Sequence, residues 1–313
     1  MHRIGDMIAA FVRSSIIAVS LALLLSRANA IDWPEGYVVQ ENTESSDGRY
    51  GVLVPTLDTW EKDESVGEAN YLADVKSHRL LGNIKGVDYF HNRNHAGLEG
   101  VWAANSKACV VQYDARYGWD LVFVLKLKDD GFEQIDIGKH IEAVQKRIFD
   151  GYLSGYYRFR PDGKLKVRAL SYTNPKQLAD EPTFNGLFEG TFDLTSQKWT
   201  SSSARKIKSE DWENLQVAYD DNFAKHMIVA ADDKQVPEGF TGQVFRSEEE
   251  KFDELDRRLN EVYQAVRFLL PNHFAKVKQE QITWLKTRDA GKSVEEKSKL
   301  TENRIKALQD LLW

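Results

Sequence analysis

Two hydrophobic rhythms divide the chain. From about Tyr37 to Thr200, apolar residues come in short runs and alternating stretches bounded by Gly, Asp and Asn, the pattern of β-strands. Tyr50-Gly51-Val52-Leu53-Val54, Val101-Trp102-Ala103-Ala104, Cys109–Tyr113 and Leu121–Leu125 each read as a strand. Tyr156–Arg160 and Leu165–Leu170 flank Pro161-Asp162-Gly163, whose turn chemistry predicts a hairpin. Helical spacing of Ile141, Val144, Gln145 and Ile148 after Gly138 predicts one helix among the strands, and Glu210–Tyr219 a second.

Near Arg246 the rhythm changes to the helical period. Phe252, Leu255, Leu259, Val262, Tyr263, Val266 and Leu269 form one apolar stripe, closed by Pro271. Phe274, Val277, Gln281, Trp284 and Leu285 form a second, ending near Ala290-Gly291, and Leu300, Arg304, Leu308, Leu311 and Leu312 a third. Three amphipathic helices with short connections predict an antiparallel up-down-up bundle. So small a bundle has a marginal core of its own and is expected to pack on the β-rich part. The fold class is therefore α+β: a β-rich domain over residues 31–246 and a three-helix module over 247–313.

The first thirty residues stand apart. Arg3 and Arg13 precede an apolar run from Ile16 to Leu25, followed by Ala28-Asn29-Ala30. Small residues at both specificity positions, and an apolar stretch too short for a bilayer, predict a signal peptide cleaved after Ala30 and a secreted or periplasmic protein. Ile31, not Cys, follows, which argues against a lipoprotein. The 313 residues carry a net charge of −6, with 42 Lys+Arg against 48 Asp+Glu. Counted by region, the leader holds three basic residues and one acidic, 247–313 holds thirteen of each, and 31–246 holds 26 basic and 34 acidic. The helical module is thus neutral and the β-rich region carries −8. No basic block supports nucleic-acid binding. The single cysteine, Cys109, excludes an internal disulfide or a Cys-based zinc cluster, and it reads as a small core residue in an apolar run.

The helical third resembles the LprI-type lysozyme inhibitor family. The matching residues are Asp256 and Leu259-Asn260-Glu261-Val262-Tyr263, then Lys278–Asp289 with Gln281, Trp284, Arg288 and Asp289, then Leu300-Thr301 with Arg304 and Leu308. They follow the order LNxxY, QxxWxxxRD, LTxxRxxxL. The resemblance implies a small secreted helical module that blocks lysozyme stoichiometrically, with Asn260, Arg288, Asp289 and Arg304 as candidate partner contacts. Read from the residues alone, Leu259, Tyr263, Gln281, Trp284, Thr301 and Leu308 hold the bundle together. Trp284 serves as an aromatic anchor and Thr301 as a cap for the third helix. Arg288 can stack on Trp284 or pair with Glu261 or Asp289, so a structural bond and a partner contact both fit. Family members commonly carry a cysteine after the Arg-Asp pair and another before the Leu-Thr motif. Here the segments 288–292 and 295–300 contain neither, and the implied bridge, worth about 2–4 kcal/mol, is absent.

The β-rich part resembles propeller blades more loosely. Ser46-Asp47-Gly48-Arg49 before Tyr50–Val54 looks like a blade opening, and Ala69–Val75 with Arg79–Gly82 like the next hairpin. Val101–Val111 echoes the opening, and Gly190–Leu194 with Lys198–Thr200 forms a further hairpin. About 200 residues would supply four or so blades of ~40–45 residues, as an incomplete propeller, a closed one, or a sheet built from blade-like hairpins. Chemistry is sparse. His91 and His95 lie four apart, but in a loop-like context without a third ligand, and no metal or cofactor is expected. No Gly-x-Ser-x-Gly elbow, Walker A loop or His-Glu-x-x-His helix is present. The acidic pairs Asp129-Asp130, Asp220-Asp221 and Asp232-Asp233 read as solvated turns. The sequence thus points to a binding protein, not an enzyme, with lysozyme or another envelope protein or glycan as partner. The alternative is a cell-envelope interaction protein in which the β-rich domain binds a protein or glycan and the helices are structural. A hydrolase with an acidic cleft would need two buried carboxylates facing one pocket.

Overall fold

The computed structural model describes residues 33–116, 118–149, 151–172, 184–238 and 240–313; the leader at 1–30 lies outside them. By contact the chain divides into two compact units. One comprises residues up to 116 together with 120–136, and the other comprises 117–119 and 137–313.

The first unit holds two four-stranded antiparallel sheets. β1 (Tyr37–Val39) and β2 (Tyr50–Pro55) precede a short helix α1 (Leu57–Lys62), then β3 (Tyr71–Asp74) and β4 (Arg79–Asn83) complete the first sheet in the order β1-β2-β3-β4. β5 (Gly97–Trp102), β6 (Ala108–Ala115), β7 (Gly118–Lys128) and β8 (Gly131–Asp136) form the second, again in chain order. The expected Ser-Asp-Gly-Arg turn is built from its own side chains. Asp47 accepts from Ser45 Oγ at 2.6 Å and from Arg49 N–H at 3.1 Å, Gly48 takes φ 62°, and Arg49 Nε reaches Asp74 at 3.0 Å. Val52, Val54, Leu72, Leu98, Cys109, Val111, Phe123 and Leu125 fill one core shared by both sheets. The strand expected at 101–104 ends at Trp102, because the chain turns there: Ser106 N–H bonds to Ala103 O and Ser106 adopts φ 52°.

The second unit begins with α2 (Ile137–Gln145), and continues with β9 (Tyr152–Phe159), β10 (Lys164–Tyr172), β11 (Asn185–Asp193) and β12 (Lys198–Ile207), a third antiparallel sheet in chain order. The β9–β10 hairpin forms as its Asp-Gly turn predicts, with Leu165 opposite Phe159 and Gly163 at φ 77°. α3 (Ser209–Tyr219) follows. Then come β13 (Met227–Val229) and β14 (Gln243–Phe245), a parallel pair too short to leave a sequence signal. Each four-stranded sheet has the strand order of a propeller blade. Among the described residues there are three such sheets and none closes on itself, so the propeller resemblance gains no further support.

The last three helices are α4 (Glu248–Leu269), α5 (Phe274–Asp289) and α6 (Val294–Leu312). α4 and α6 start on similar caps. Ser247 Oγ accepts from Glu250 N–H and Glu250 Oε2 from Arg246 N–H, while Ser293 and Glu296 repeat the arrangement with Lys292. Tyr263 of α4 meets Phe274 of α5, and Arg288 at the far end of α5 returns to Asp256 of α4, so those two run antiparallel. Lys251 of α4 pairs with Glu302 of α6 at 3.0 Å, completing the up-down-up order. These helices share a core with the third sheet: Leu170 and Leu187 of the sheet and Leu215 and Tyr219 of α3 pack with Leu255, Leu259, Val262, Val266, Val277, Ile305, Leu308 and Leu312. A cut at 246 would divide that core.

A buried charge ties the sheet to the helices. Arg168 of β10 is 4% exposed. Its Nη1 donates to Tyr219 Oη at 2.7 Å, its Nη2 lies 3.4 Å from Glu189 of β11, and its guanidinium stacks on the rings of Tyr219 and Trp313. Tyr219→Phe removes the acceptor while keeping the ring, leaving a buried charged donor without its partner. The expected cost is about 1.5–3 kcal/mol, read as a lower urea midpoint at neutral pH with unchanged dependence on denaturant.

Candidate functional site

The residues singled out on the helices separate into an inward set and an outward set. Leu259 and Leu308 are core residues at 2% and 0% exposure. Thr301 is also fully buried and donates from Oγ1 to Lys297 O at 2.8 Å, one turn back. It does not cap the helix, as the sequence suggested, because α6 begins seven residues earlier, at Val294 after the Ser293 cap. Gln281 is buried, and its Oε1 accepts from Arg304 Nε at 2.8 Å, so the two motif residues bond α5 to α6. Arg304 Nη2 is buried without a hydrogen-bond partner among the described residues, and burial lowers the basicity of its guanidinium. Tyr263 and Trp284 are half-buried at the margin of the core, not at its centre.

Arg288 is held on four sides. Its side chain, 13% exposed, pairs with Asp256 through Nη1 and with Asp289 through Nε at 3.0 Å, and its guanidinium lies 5.6 Å from the ring of Phe252 and 5.4 Å from that of Trp284. Of the partners read from the sequence, Trp284 and Asp289 are met; Glu261 instead pairs with Arg257. Asn260 and Asp289 are exposed. The motif therefore offers solvent two polar groups beside an arginine whose orientation is fixed from within.

In the first unit, His91 Nδ1 contacts Gln40 Oε1 at 3.1 Å, and His95 lines a cavity of about 210 Å³ with Asp88, Arg93, Tyr113 and Asp114. Among the described residues no three His, Cys, Asp or Glu side chains come together as a metal site. Asp114 is partly buried and its carboxyl is pushed up to about 6, chiefly by burial and then by the charge of Glu99, against the hydrogen bond from Gln112. Asp88, on the same cavity, is exposed, so the wall does not present a pair of buried carboxylates. Cys109 is fully buried and burial raises its thiol well above the usual range. Asp220 and Asp221 are engaged by Arg258 and Arg158, and Asp233 by Arg246. No sequence signal marked the cluster of Lys166, Arg168 and Glu189. Lys166 and Arg168 sit two apart on β10, and Glu189 joins them only when β10 pairs with β11.

Residues 233–308 match the model of a family described as Lysozyme inhibitor LprI, which takes in α4, α5 and most of α6. That is a family of inhibitors and not of enzymes. No curated protein and no solved structure matches the chain. Among the described residues no helix is long and apolar enough to cross a membrane.

Two expectations follow from this geometry. Arg288→Ala removes two ring contacts and the tie to Asp256 and should cost about 1–3 kcal/mol in chemical denaturation, whereas Asn260→Ala should stay within about 0.5 kcal/mol of the parent. Asp114 binds its proton more tightly in the folded than in the unfolded chain. Its contribution to stability is therefore complete below about pH 4 and is lost as pH rises through about 6. Asp114→Asn should abolish that part of the decline between pH 4 and pH 7, at most about 3 kcal/mol, measured by urea titrations at the two ends.

Proposed function

We propose that the chain is an extracytoplasmic binding protein whose helical module blocks a lysozyme by stoichiometric occupation, without covalent chemistry of its own. The observation that carries this reading is the family match over residues 233–308. The leader-like pattern ending in Ala28-Asn29-Ala30 supports export, and with it encounter with cell-wall hydrolases. Asn260 and Asp289 are the direct polar contacts in this reading. Arg288 and Arg304 hold α4, α5 and α6 in the register that presents them. The implied cysteine bridge is absent, and its mechanical role falls to the Gln281–Arg304 bond, the Ser293 cap and the core shared with the third sheet. The module is neutral, so a basic lysozyme would be steered at long range by the acidic residues of 31–246.

Chain lacking residues 1–30, added to a lysozyme clearing a cell-wall suspension, should reduce the rate saturably near one equivalent. The double variant Asn260→Ala, Asp289→Ala should need at least ten times more protein for the same effect while melting at the parent's temperature. Unchanged clearing at a large molar excess of the parent chain would overturn the reading.

A further inference from the structure

The cavity of about 210 Å³ beside His95 is built from two stretches of the first unit, the loop at 88–96 and the adjoining ends of β6 and β7. All of its lining residues belong to that unit, so it stands independently of the lysozyme reading. Its volume falls below the roughly 300–1,000 Å³ of drug-sized sites and suits a molecule of a few heavy atoms.

The charge of the lining is negative. Asp88, Asp114 and Asp120 are its acidic residues and, with His95 neutral, Arg93 is the cation set against them. Arg93 is spent on Asp88, since its Nη1 donates both to Asp88 O and, at 3.2 Å, to Asp88 Oδ2. Asp114 is placed differently. It is partly buried, its Oδ1 accepts from Gln112 at 2.8 Å, and no basic side chain pairs with it among the described residues. The charge that bears on it is that of Glu99, a second acid, and burial and this repulsion together hold its carboxyl up at about 6. Across the sheet from it stands Gly97, where a methyl group would lie 3.4 Å from Asp114 Oδ2. The bare glycine leaves that oxygen uncovered from the β5 side.

A second observation points the same way. Tyr89 is 4% exposed and lines the cavity, yet its hydroxyl has no hydrogen-bond partner among the described residues. Burial first, and then the opposed charges of Arg93 and Asp114, act on this hydroxyl, which places it near both of these lining residues. A phenol buried to this degree ordinarily finds a partner. Here an unpartnered phenol oxygen and an unpaired carboxylate share one small space. A ligand that carries positive charge and donates to both oxygens satisfies the two together. The donor set does not suit a metal ion, because among the described residues no three His, Cys, Asp or Glu side chains come together to hold one. A primary ammonium has three N–H donors, enough for Asp114 and Tyr89, and its stem can rest on the apolar wall at Ala96 and Leu121.

We propose that this cavity binds a small, free primary alkylammonium ion, held by the Asp114 carboxylate and the Tyr89 hydroxyl, with the exposed Asp120 adding to the attraction.

The test is calorimetric titration of the full chain at fixed pH and ionic strength. The probes are n-butylammonium, its neutral isostere 1-butanol, tetramethylammonium (charged but without an N–H), Nα-acetyl-lysine amide and calcium. Saturable one-to-one binding of butylammonium is expected, with butanol and tetramethylammonium at least ten-fold weaker, acetyl-lysine amide weaker, and no displacement by calcium. Asp114→Asn should weaken butylammonium at least ten-fold. Because it removes a partly buried charge, its melting temperature at neutral pH should not fall below the parent's. Tyr89→Phe keeps the ring and should weaken binding at least three-fold at the parent's melting temperature, since the lost hydroxyl holds nothing within the protein. No saturable heat from butylammonium, butanol or tetramethylammonium binding as tightly, displacement by calcium, or full binding in either variant would overturn the site. Tighter binding of acetyl-lysine amide than of butylammonium would assign the cavity to a protein lysine and overturn the free amine.

Discussion

The second unit depends on keeping one guanidinium charged inside it. Removing an ionised group from water costs several kcal/mol unless partners replace its hydration. Arg168 meets that demand from three directions, with Glu189 from the neighbouring strand, the Tyr219 hydroxyl from α3, and the ring of Trp313 from the segment just beyond α6. Because each partner comes from a different element, the charge is satisfied only when sheet, α3 and α6 are all in place. The arginine's partners tie the sheet to α3 and to the end of α6, and the adjoining apolar layer of Leu170, Leu187, Leu215, Leu308 and Leu312 supplies the bulk of the burial.

This arrangement also explains how a helical module without a cysteine bridge can stay ordered. A disulfide between α5 and α6 would act mainly on the unfolded chain. Here the same ends are held in the folded state. Ser293 and Glu296 cap the entry to α6, Gln281 meets Arg304 across the helix pair, and Ile305 and Leu308 anchor in a core to which the sheet contributes. α5 itself buries only Val277 and Gln281. Of the last three helices it has the least core of its own, and its attachment rests on polar ties, Arg288 to Asp256 and Gln281 to Arg304.

Much of this was legible from the residue pattern, and the misses have physical causes. The stripe on α4 was read almost residue by residue, since Leu255, Leu259, Val262 and Val266 are apolar and all buried. On α6 the eye follows leucines, yet Leu311 is 45% exposed while Ser298, Thr301 and Gln309 are buried. Thr301 donates back to Lys297 O of its own helix and Gln309 to Asp220 O just beyond α3, so polar residues can occupy the helix's inner face. The helical spacing that includes Ile148 runs past the end of α2 at Gln145, and Phe149 takes the buried position. Lys166 and Arg168 alternate with apolar neighbours and read as the wet face of a strand. Only α3, whose Tyr219 lies 51 residues from Arg168, and the helices that follow it turn that face into a buried charge.

The placement of the motif residues bears on what a recognition surface here can be. Most of the charged motif side chains look inward or along the surface: Arg288 is committed to Asp256 and Asp289, Arg304 to Gln281, and Arg257 to Glu254 and Glu261. A module with equal numbers of acidic and basic residues presents little net field, so its contacts must be decided at short range, by shape and by the polar groups with solvent in front of them. Long-range attraction and short-range fit would then reside in different parts of one chain, the first in the acidic residues of 31–246 and the second on α4 and α5. Raising salt should act on such a pair of functions unequally, slowing encounter while leaving the dissociation of a formed complex nearly untouched, because screening reaches the exposed field before it reaches buried contacts.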